Sequence, residues 1–504
     1  MKIKFDNTNY KSKKTVIFLS VIVIVAAIIF ISFSYFTPNI TEENNYTTSG
    51  SATGGTPNIT YTDVTSGINL TGTYPMVDEE GLTLDPYTFN IRNNESESIV
   101  YEIYLQTETG NTVPDNLVNF SLDSSAPSTL STKPEDTPST GYSHSYKIKT
   151  GELGAGANKD FNLQVWFNES GTIATVQNKN WYGKIFVKAR FGMLGAGTIK
   201  NIVAGEPTNT TDVITKTAPE GATCTNTLAY DGTIDNNLRY VGSNPCNYVT
   251  FNGETAGWRI VGVMNNIDDG TGNTETRIKL RKRNRLGSTY SWDTSSSDSS
   301  SGWGEMDWTQ ADLMYELNGD YLDTTLTENT YWYNGQNNQK TAVFDISKRL
   351  NSTAQNQISN AKWYLGEHYY DTSTASQFYS YERSTNQTGT ARPTTWVGKV
   401  ALVYPSDFGF AIGGSNRSTC LGMGLSSYNG SNCKGNNYIS SSTSKNIFTI
   451  TTQSYGNNQV FVLRGYLYKL LPAGANEVYP TVYLKSDVEI TGGDGSIDNP
   501  YTLG

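Results

Sequence analysis

Residues 87–105 read YTFNIRNNESESIVYEIYL, and this stretch decides the fold of the first part of the chain. Apolar and polar residues alternate in Tyr87–Arg92 and again in Tyr101–Leu105, on either side of a polar turn. Alternation with a period of two places apolar side chains on one face of a strand and polar ones on the other. The stretch therefore predicts two β-strands, each with one buried face.

The same alternation recurs at Phe161–Phe167 and Ile185–Arg190, with glycine-rich turns between the segments. Several short strands without a helical period are typical of a sandwich. We therefore predict a β-sandwich domain over residues 58–203, of the jelly-roll or immunoglobulin-like kind. This part has no cysteine, so it is not the disulfide-pinned immunoglobulin variety.

Residues 74–82 (YPMVDEEGL) and 84–91 (LDPYTFNI) resemble the TasA/camelysin-like surface domains of low-GC Gram-positive bacteria. The turn at Gly151–Leu153 and the strand at Leu163–Phe167 follow in the order of that family. The resemblance implies a jelly-roll-like sandwich of secreted matrix fibres. Camelysin has been regarded as a metalloprotease, but the chain has no HExxH motif, so that activity does not carry over. Residues 74–82 are expected to form a loop and strand start that only seat the sheet, and the alternative is that they bind a ligand.

A linker rich in Thr and Pro is predicted at residues 204–221, followed by an α+β surface domain over residues 222–504. Trp258–Val263 and Arg277–Leu280 predict a hairpin around a turn at Asp268–Asn273. Helical signals predict a helix over Ala311–Leu317 and another over residues 346–361. The fold class is therefore mainly β with an α+β C-terminal domain.

The order of signatures in this second domain resembles an uncharacterised surface-domain family of gut Firmicutes. The signatures are Gly257–Ile260, Tyr290–Asp293, Trp308 with Ala311–Met314, Ser406–Gly409 and the closing Tyr483–Lys485 with residues 493–501. The resemblance implies an outline similar to the C-type-lectin-like fold. It implies no particular ligand.

The amino terminus predicts a membrane anchor. Residues 1–14 are a basic cytoplasmic segment, and residues 15–36 are an uncharged apolar run. As a helix this run is about 33 Å long, which matches a hydrocarbon core of about 30 Å. The lysines before this run predict that the amino terminus is cytoplasmic and that residues 15–36 cross the lipid bilayer. A flexible stalk is predicted at residues 37–57, and the rest of the chain is predicted to be extracellular. Ser32 and Ser34 offer the small residues of a cleavage site, so release remains an alternative to anchoring.

Composition excludes several classes of function. The chain has 37 basic and 47 acidic residues, a net charge of −10 and only 17% charged residues. An acidic chain without a basic domain is not expected to bind nucleic acid. It has two histidines and no GxSxG, HExxH, P-loop or dinucleotide motif, so we predict a protein that is not an enzyme and has no cofactor or metal.

All four cysteines lie in the second domain, at Cys224, Cys246, Cys420 and Cys433. An even number outside the membrane predicts two disulfides, with three possible connectivities. Proximity in sequence favours Cys224–Cys246 and Cys420–Cys433. A metal site is the alternative, but the spacing is not CxxC and no histidine is near.

Two sets of residues are candidates for ligand binding. The first is a basic segment, which consists of Arg277, Lys279, Arg281, Lys282, Arg283 and Arg285. It is predicted to lie on a solvated strand face and turn. The alternative is that it docks an anionic wall polymer or an acidic glycan. The second is a group of aromatic residues in polar loops, whose rings would stack on sugars unless they only cover the core: Trp363, Tyr364, Tyr369, Tyr370 and Tyr379. Asp494, Asp498 and Asn499 offer oxygen ligands for Ca²⁺, against a simpler glycine-rich terminal turn.

These observations predict a membrane-anchored bacterial cell-surface protein that acts as an adhesin or binds glycans. The alternative is a structural matrix or fibre subunit that assembles through the sandwich and contacts other surface proteins. A cell-wall hydrolase is a third hypothesis, and it requires a pocket with two convergent carboxylates.

Overall fold

The computed structural model describes residues 57–63, 70, 74–176, 179–294, 306–335, 339–368, 370–385, 392–429, 431–453 and 459–504. The chain divides into two compact units, with the boundary between Met193 and Leu194. Each has its own hydrophobic core, and strands dominate both. In the described ranges no helix is long and apolar enough to cross a bilayer. The predicted anchor at residues 15–36 and most of the predicted stalk lie outside those ranges.

The first unit consists of strands and two short helices. The strands are β1 (Ile59–Asp63), β2 (Tyr87–Asn93), β3 (Ile99–Glu108), β4 (Val118–Leu122), β5 (Ser128–Thr129), β6 (Glu135–Asp136), β7 (Tyr142–Leu153), β8 (Asn158–Phe167) and β9 (Gly183–Phe191). The helices are α1 (Asp78–Gly81) and α2 (Ile173–Val176). One sheet has the order β1-β2-β8-β4-β5 and the other β6-β7-β3-β9, and all of their pairings are antiparallel.

The two sheets share one core, as the alternation predicts for a sandwich. Tyr87, Phe89 and Ile91 of β2 are buried, and the residues between them are partly exposed. Phe89 stacks on Phe161 of the same sheet with ring centroids 5.0 Å apart. Tyr101 of the other sheet meets Phe161 edge-on at 5.7 Å. The predicted strands and their buried faces are therefore confirmed.

Residues 74–82, expected as a loop and strand start, contain the short helix α1 at Asp78–Gly81. The Asp78 carboxylate accepts hydrogen bonds from Asn119 (2.9 Å) and from the indole N–H of Trp166 (3.2 Å). A side chain at Gly81 would overlap the Trp166 ring, since a Cβ there would lie 2.3 Å from it. The segment therefore seats against the sheet through α1.

The second unit contains most of the helices and the larger sheet. Its strands are β10 (Ile214–Lys216), β11 (Asn226–Tyr230), β12 (Leu238–Tyr240), β13 (Tyr248–Phe251), β14 (Glu254–Asp268), β15 (Thr274–Lys282), β16 (Thr330–Tyr333), β17 (Lys340–Phe344), β18 (Ala361–Tyr364), β19 (Thr395–Gly398), β20 (Val400–Ala401), β21 (Ile447–Thr452), β22 (Val460–Leu463), β23 (Leu467–Leu470), β24 (Thr481–Tyr483), β25 (Ile490–Gly492) and β26 (Tyr501–Leu503). Its α-helices are α3 (Gly195–Ile202), α4 (Asp312–Asn318), α5 (Ser352–Gln357), α6 (Ala375–Glu382), α7 (Pro405–Phe410) and α8 (Arg417–Leu421).

A ten-stranded sheet organises this unit. Its main path is β10-β11-β12-β14-β13-β26-β25, and β15 joins β14 to β24, which in turn pairs with β20. The hairpin predicted around Asp268–Asn273 is confirmed as β14 and β15. Smaller sheets pair β16 with β17, β18 with β19, and β21 with β22 and β23. The predicted α+β character of this part is therefore confirmed.

Several predicted boundaries are wrong. Helix α3 belongs to the second unit, although the sandwich was expected to extend to residue 203. Within the predicted linker at residues 204–221, β10 pairs with β11 because its apolar residue Ile214 joins the core. The helix expected over residues 346–361 is confined to α5, because Ala361 already lies in β18. The helix expected at Ala311 begins one residue later, at Asp312.

The cysteines form the two disulfides that sequence proximity favours, Cys224–Cys246 and Cys420–Cys433. All four are nearly inaccessible to solvent. The first bridge joins the segment before β11 to the segment before β13, and the second ties α8 to the loop that follows it. Both bridges therefore stabilise the second unit.

Candidate functional site

The predicted basic patch is divided by the sheet into a buried and an exposed part. Arg277, Lys279, Arg281 and Lys282 are 1–3% exposed, whereas Arg283 and Arg285 are exposed. Strand β15 pairs with β14 on one side and with β24 on the other, so it is not an edge. The prediction of a solvated face at residues 277–282 is therefore wrong, because other elements cover that central strand.

Three of the buried cations have carboxylate partners. Arg277 pairs with Glu275 at 2.9 Å, and Lys282 binds both carboxylate oxygens of Glu254. Lys279 lies 2.5 Å from Oδ2 of Asp407 on α7. Because each charge is compensated within the protein, these three residues are not available to an external anion.

A chain of buried charges continues from Lys279. Arg239 of β12 donates from Nη1 to Oδ1 of Asp407 (2.7 Å) and from Nε to Asp231 (2.8 Å). Burial by itself raises the pKa of Asp407, but the charges of Lys279 and Arg239 outweigh it and hold that pKa at about 2. We call Asp231, Arg239, Lys279 and Asp407 the central charge network. It balances two cations against two anions in the interior.

Arg281 differs from these three cations, since in the described part of the chain no carboxylate oxygen lies within 4.0 Å of its guanidinium. Its side chain is 3% exposed and lies over the Tyr479 ring, 4.1 Å from the centroid. Its Nε and Nη2 have no hydrogen-bond partner among the described residues. Glu477 is the carboxylate that acts on it, but Glu477 pairs instead with Tyr479 (2.8 Å) and more distantly with Arg285 (3.8 Å). The guanidinium is therefore buried without full compensation.

Two further arginines lie beside Arg281. Arg259 of β14 is its cross-strand partner, and it donates to Asn247 and to the carbonyl of Pro245. The Tyr248 ring contacts both Arg259 (3.7 Å to the centroid) and the exposed Arg283 (5.2 Å). We call Arg259, Arg281 and Arg283 the arginine cluster.

The electrostatics of the arginine cluster favour a negative ligand. Across the described part of the chain, none of the three lies within 4.0 Å of a carboxylate oxygen. Burial lowers the pKa of Arg259 to about 10, and the charges of Arg283 and Arg281 act in the same direction. The charged form of Arg259 is therefore less stabilised than in a solvent-exposed arginine, although it still predominates at pH 7. Guanidinium groups bind carboxylate and phosphate oxygens through paired hydrogen bonds.

The aromatic residues predicted to stack on sugars do not form one surface. Trp363 is fully buried, and its indole N–H donates to the carbonyl of Gly398 at 3.0 Å. Tyr379 is 3% exposed, and its ring is covered by Arg383 at 3.4 Å. The prediction is wrong for both, because β18 turns Trp363 inward and α6 packs Tyr379 against the core of the unit.

The remaining aromatic candidates lie at the surface or outside the described residues. Tyr364 is half-buried beneath Arg383, Tyr370 is 58% exposed, and Tyr369 is not among the described residues. Tyr381 stacks on His368 at 3.8 Å, and Tyr370 lies 6.0 Å from the same imidazole. Burial lowers the pKa of His368 to about 4, so the ring is neutral at pH 7.

A small cavity adjoins the central charge network. It is lined by Lys279, Asp407, Arg239, Tyr404 and Tyr483 among others, and it has room for about one water molecule. A sugar does not fit in this space. The cavity is therefore not the ligand pocket that an adhesin or a hydrolase needs.

Two buried acids with raised pKa values were not among the predicted site residues. Burial raises the pKa of Glu382 to about 7, and its carboxylate accepts hydrogen bonds from the backbone and hydroxyl of Ser406. Burial raises the pKa of Glu316 to about 9. The sequence does not distinguish these two residues from the other acidic residues, of which the chain has 47 in all. The residues that bury them come from distant segments of the chain. Arg259 was not predicted as a site residue either, although it lies within the signature Gly257–Ile260.

The structure gives the closing segment a structural role. Asp494 accepts hydrogen bonds from the backbone of Ser496 (2.9 Å) and the side chain of Asn499 (3.0 Å). These bonds hold the glycine-rich terminal turn. In the described ranges, no group of three His, Cys, Asp or Glu residues is placed to hold a metal ion.

The chain was compared with protein-family models, with curated proteins and with solved structures. None of them matches it. The TasA/camelysin-like and lectin-like resemblances stay predictions from the sequence.

Proposed function

We propose that this chain is a membrane-anchored extracellular adhesin whose second unit binds an acidic polysaccharide of a cell surface through the arginine cluster. The observation that carries the proposal is the position of Arg281. It is buried beside two other arginines, and among the described residues two of its N–H groups have no hydrogen-bond partner and no carboxylate lies within ion-pair distance. The proposal is one of binding and not of catalysis.

The ligand class follows from the chemistry of the arginine cluster. A guanidinium recognises carboxylate or phosphate oxygens in its plane, and the buried rings of Tyr248 and Tyr479 pack against Arg259 and Arg281. The chain as a whole is acidic, so long-range attraction does not recruit a polyanion. Recognition therefore depends on short-range contacts with the exposed Arg283 and Arg285, while the buried Arg259 and Arg281 add positive charge beside them.

The proposed location rests on two supports. The predicted apolar run at residues 15–36 follows a lysine-rich segment. The two disulfides are of a kind that persists in oxidising compartments. The proposal also includes the predicted jelly-roll or immunoglobulin-like sandwich and the lectin-like outline of the second unit.

Binding of the full chain in detergent to polygalacturonate, with neutral dextran as the comparison polymer, tests this function. We expect Arg283→Glu to weaken polygalacturonate binding at least tenfold, because a charge-assisted hydrogen bond contributes about 1.5–3 kcal/mol. Lys485→Glu is the matched control, since Lys485 is also exposed in the second unit. Equal binding by the two variants, or equal affinity for dextran, would contradict the proposal.

The salt dependence separates this site from the exposed tyrosines. Dissolved ions compete with charged contacts at the surface, so binding through the exposed Arg283 should weaken as salt rises. Stacking of a sugar on Tyr370 and Tyr381 should not depend on salt. Salt-insensitive binding that Tyr370→Ala abolishes would move the site to the tyrosines.

A fibre subunit is the second candidate, and the edge of one sheet favours it. Strand β9 has nine residues and ends the order β6-β7-β3-β9. A long edge strand can pair with a strand of another chain. Filaments in electron micrographs that form equally well with Arg283→Glu would support this candidate, because that variant leaves β9 unchanged.

A further inference from the structure

Lys279 and Asp407 form an unusually close buried pair. Their Nζ and Oδ2 atoms are 2.5 Å apart, and their side chains are 1% and 2% exposed. Lys279 lies on the central strand β15 and Asp407 on helix α7, 128 residues later in the chain. An amine and a carboxyl group are therefore held in contact away from solvent.

Aromatic rings surround the amine. The rings of Trp363, Tyr404 and Tyr483 have their centroids 5.3, 4.5 and 5.4 Å from Nζ. Burial lowers the pKa of Lys279, against the opposing charge of Asp407. Attack requires the neutral form of the pair, a free amine and a carboxylic acid, which burial favours and the charge of Arg239 opposes. The neutral amine is a nucleophile.

The carboxyl group of Asp407 is held for attack. Oδ1 accepts a hydrogen bond from Nη1 of Arg239 (2.7 Å), and Oδ2 accepts one from the backbone of Tyr404 (3.0 Å). A guanidinium at Oδ1 stabilises the negative charge that develops on this oxygen when an amine adds to the carbon. The other oxygen, Oδ2, is the one in contact with the amine.

A buried acid, Glu382, is linked to this pair through a neighbour of Asp407 in the chain. Glu382 accepts hydrogen bonds from Ser406, the residue before Asp407, at 3.0 Å from the backbone and 2.5 Å from the hydroxyl. It interacts electrostatically with both Lys279 and Asp407. Burial raises its pKa to about 7, so it exchanges a proton readily at neutral pH.

We propose that Lys279 and Asp407 condense into an intramolecular amide bond, with Arg239 stabilising the oxyanion and Glu382 moving the protons. The Nζ–Cγ bond forms and the Cγ–Oδ2 bond breaks. Two protons of the ammonium leave with Oδ2 as water, and the third stays on the amide nitrogen. The opposite charges of the ammonium and the carboxylate cancel, so no other reactant is needed. The adjoining cavity has room for about one water molecule, which accommodates the product.

The cross-link would join the central strand of the large sheet to helix α7. It differs from the two disulfides because reducing agents do not break an amide. It also spans 128 residues, whereas the disulfides close separations of 22 and 13 residues.

Mass spectrometry of the full chain, reduced and alkylated, tests the proposal. We expect the intact mass to be lower than that of the sequence by one water molecule. Trypsin should release a branched peptide joining residues 278–281 to residues 400–417, because acylated Lys279 resists cleavage. A chain of full mass, or a missing water assigned to another pair of residues, would overturn the proposal.

Two variants define the roles. Lys279→Met should have its full sequence mass, because it lacks the amine. Glu382→Gln keeps both partners and should also retain the water, while the two disulfides and the circular dichroism show that it is folded. If Glu382→Gln still loses water, the proposed proton transfer by Glu382 is wrong. The mass of the parent chain by itself shows whether the amide bond has formed. The test therefore does not depend on the folding of either variant.

Discussion

At the scale of one residue, Glu316 shows that burying a carboxyl group without a compensating charge favours its protonated form. It lies on α4 with 4% exposure, and its Oε1 accepts the backbone N–H of Tyr333 at 2.8 Å. Its Oε2 has no hydrogen-bond partner among the described residues. The raised pKa of about 9 means that the folded protein retains a proton that the unfolded chain releases above its ordinary value of 4.5.

The sign of the resulting pH dependence follows from proton binding. Between about pH 4.5 and pH 9 the folded state binds more protons at Glu316, so its contribution to stability falls as pH rises. We expect Glu316→Gln to stabilise the second unit by roughly 3 kcal/mol at pH 7 and to have little effect at pH 4.5. Thermal unfolding at several pH values measures this difference. Glu328→Gln at an exposed position is the control, and an equal gain in both variants would exclude the mechanism.

At the scale of the element, strand β14 shows how closely the large sheet is packed. Its pairing with β15 shifts register between Ile260 and Gly262, and Gly262 lies opposite Arg239 of β12. A Cβ at Gly262 would lie 2.4 Å from the carbonyl oxygen of Leu238. That neighbour is backbone and cannot move aside without disturbing the sheet.

Gly262→Ala should therefore destabilise the second unit by about 1–3 kcal/mol through overpacking. The same substitution at Gly435 is the matched control, since no atom lies within 4 Å of a Cβ there. Denaturant unfolding of the two variants gives the comparison. If Gly262→Ala loses no more free energy of unfolding than Gly435→Ala, β12 and β14 move apart without destabilising the unit.

At the scale of the whole molecule, each unit has its own core, and the cross-links are confined to one of them. All four cysteines lie in the second unit, whereas the sandwich of the first unit is held by its core and its strand pairings without a disulfide. The chain-entropy model gives about 3 kcal/mol for each of these bridges. The two units should therefore respond differently to a reducing agent.

Calorimetry with and without reductant tests this expectation. Reduction should lower the unfolding temperature of the second unit and leave that of the first unit unchanged, because the first has no bridge to lose. The paired replacement of Cys420 and Cys433 by serine should reproduce part of the effect without reductant. A shift of both transitions, or of neither, would contradict the assignment of the bridges' contribution.

The sequence by itself determined the features that depend on neighbours along the chain. The alternation in Tyr87–Ile91 and Tyr101–Leu105 predicted strands and buried faces, and proximity predicted both disulfides. Only the tertiary structure decided which strand faces are covered. A period of two shows that Arg277, Lys279 and Arg281 share a face, but it does not show that β24 and α7 approach from more than 100 residues away. Burial is a property of these distant contacts, and it turned an expected surface patch into an internal charge network and left the arginine cluster as the candidate site.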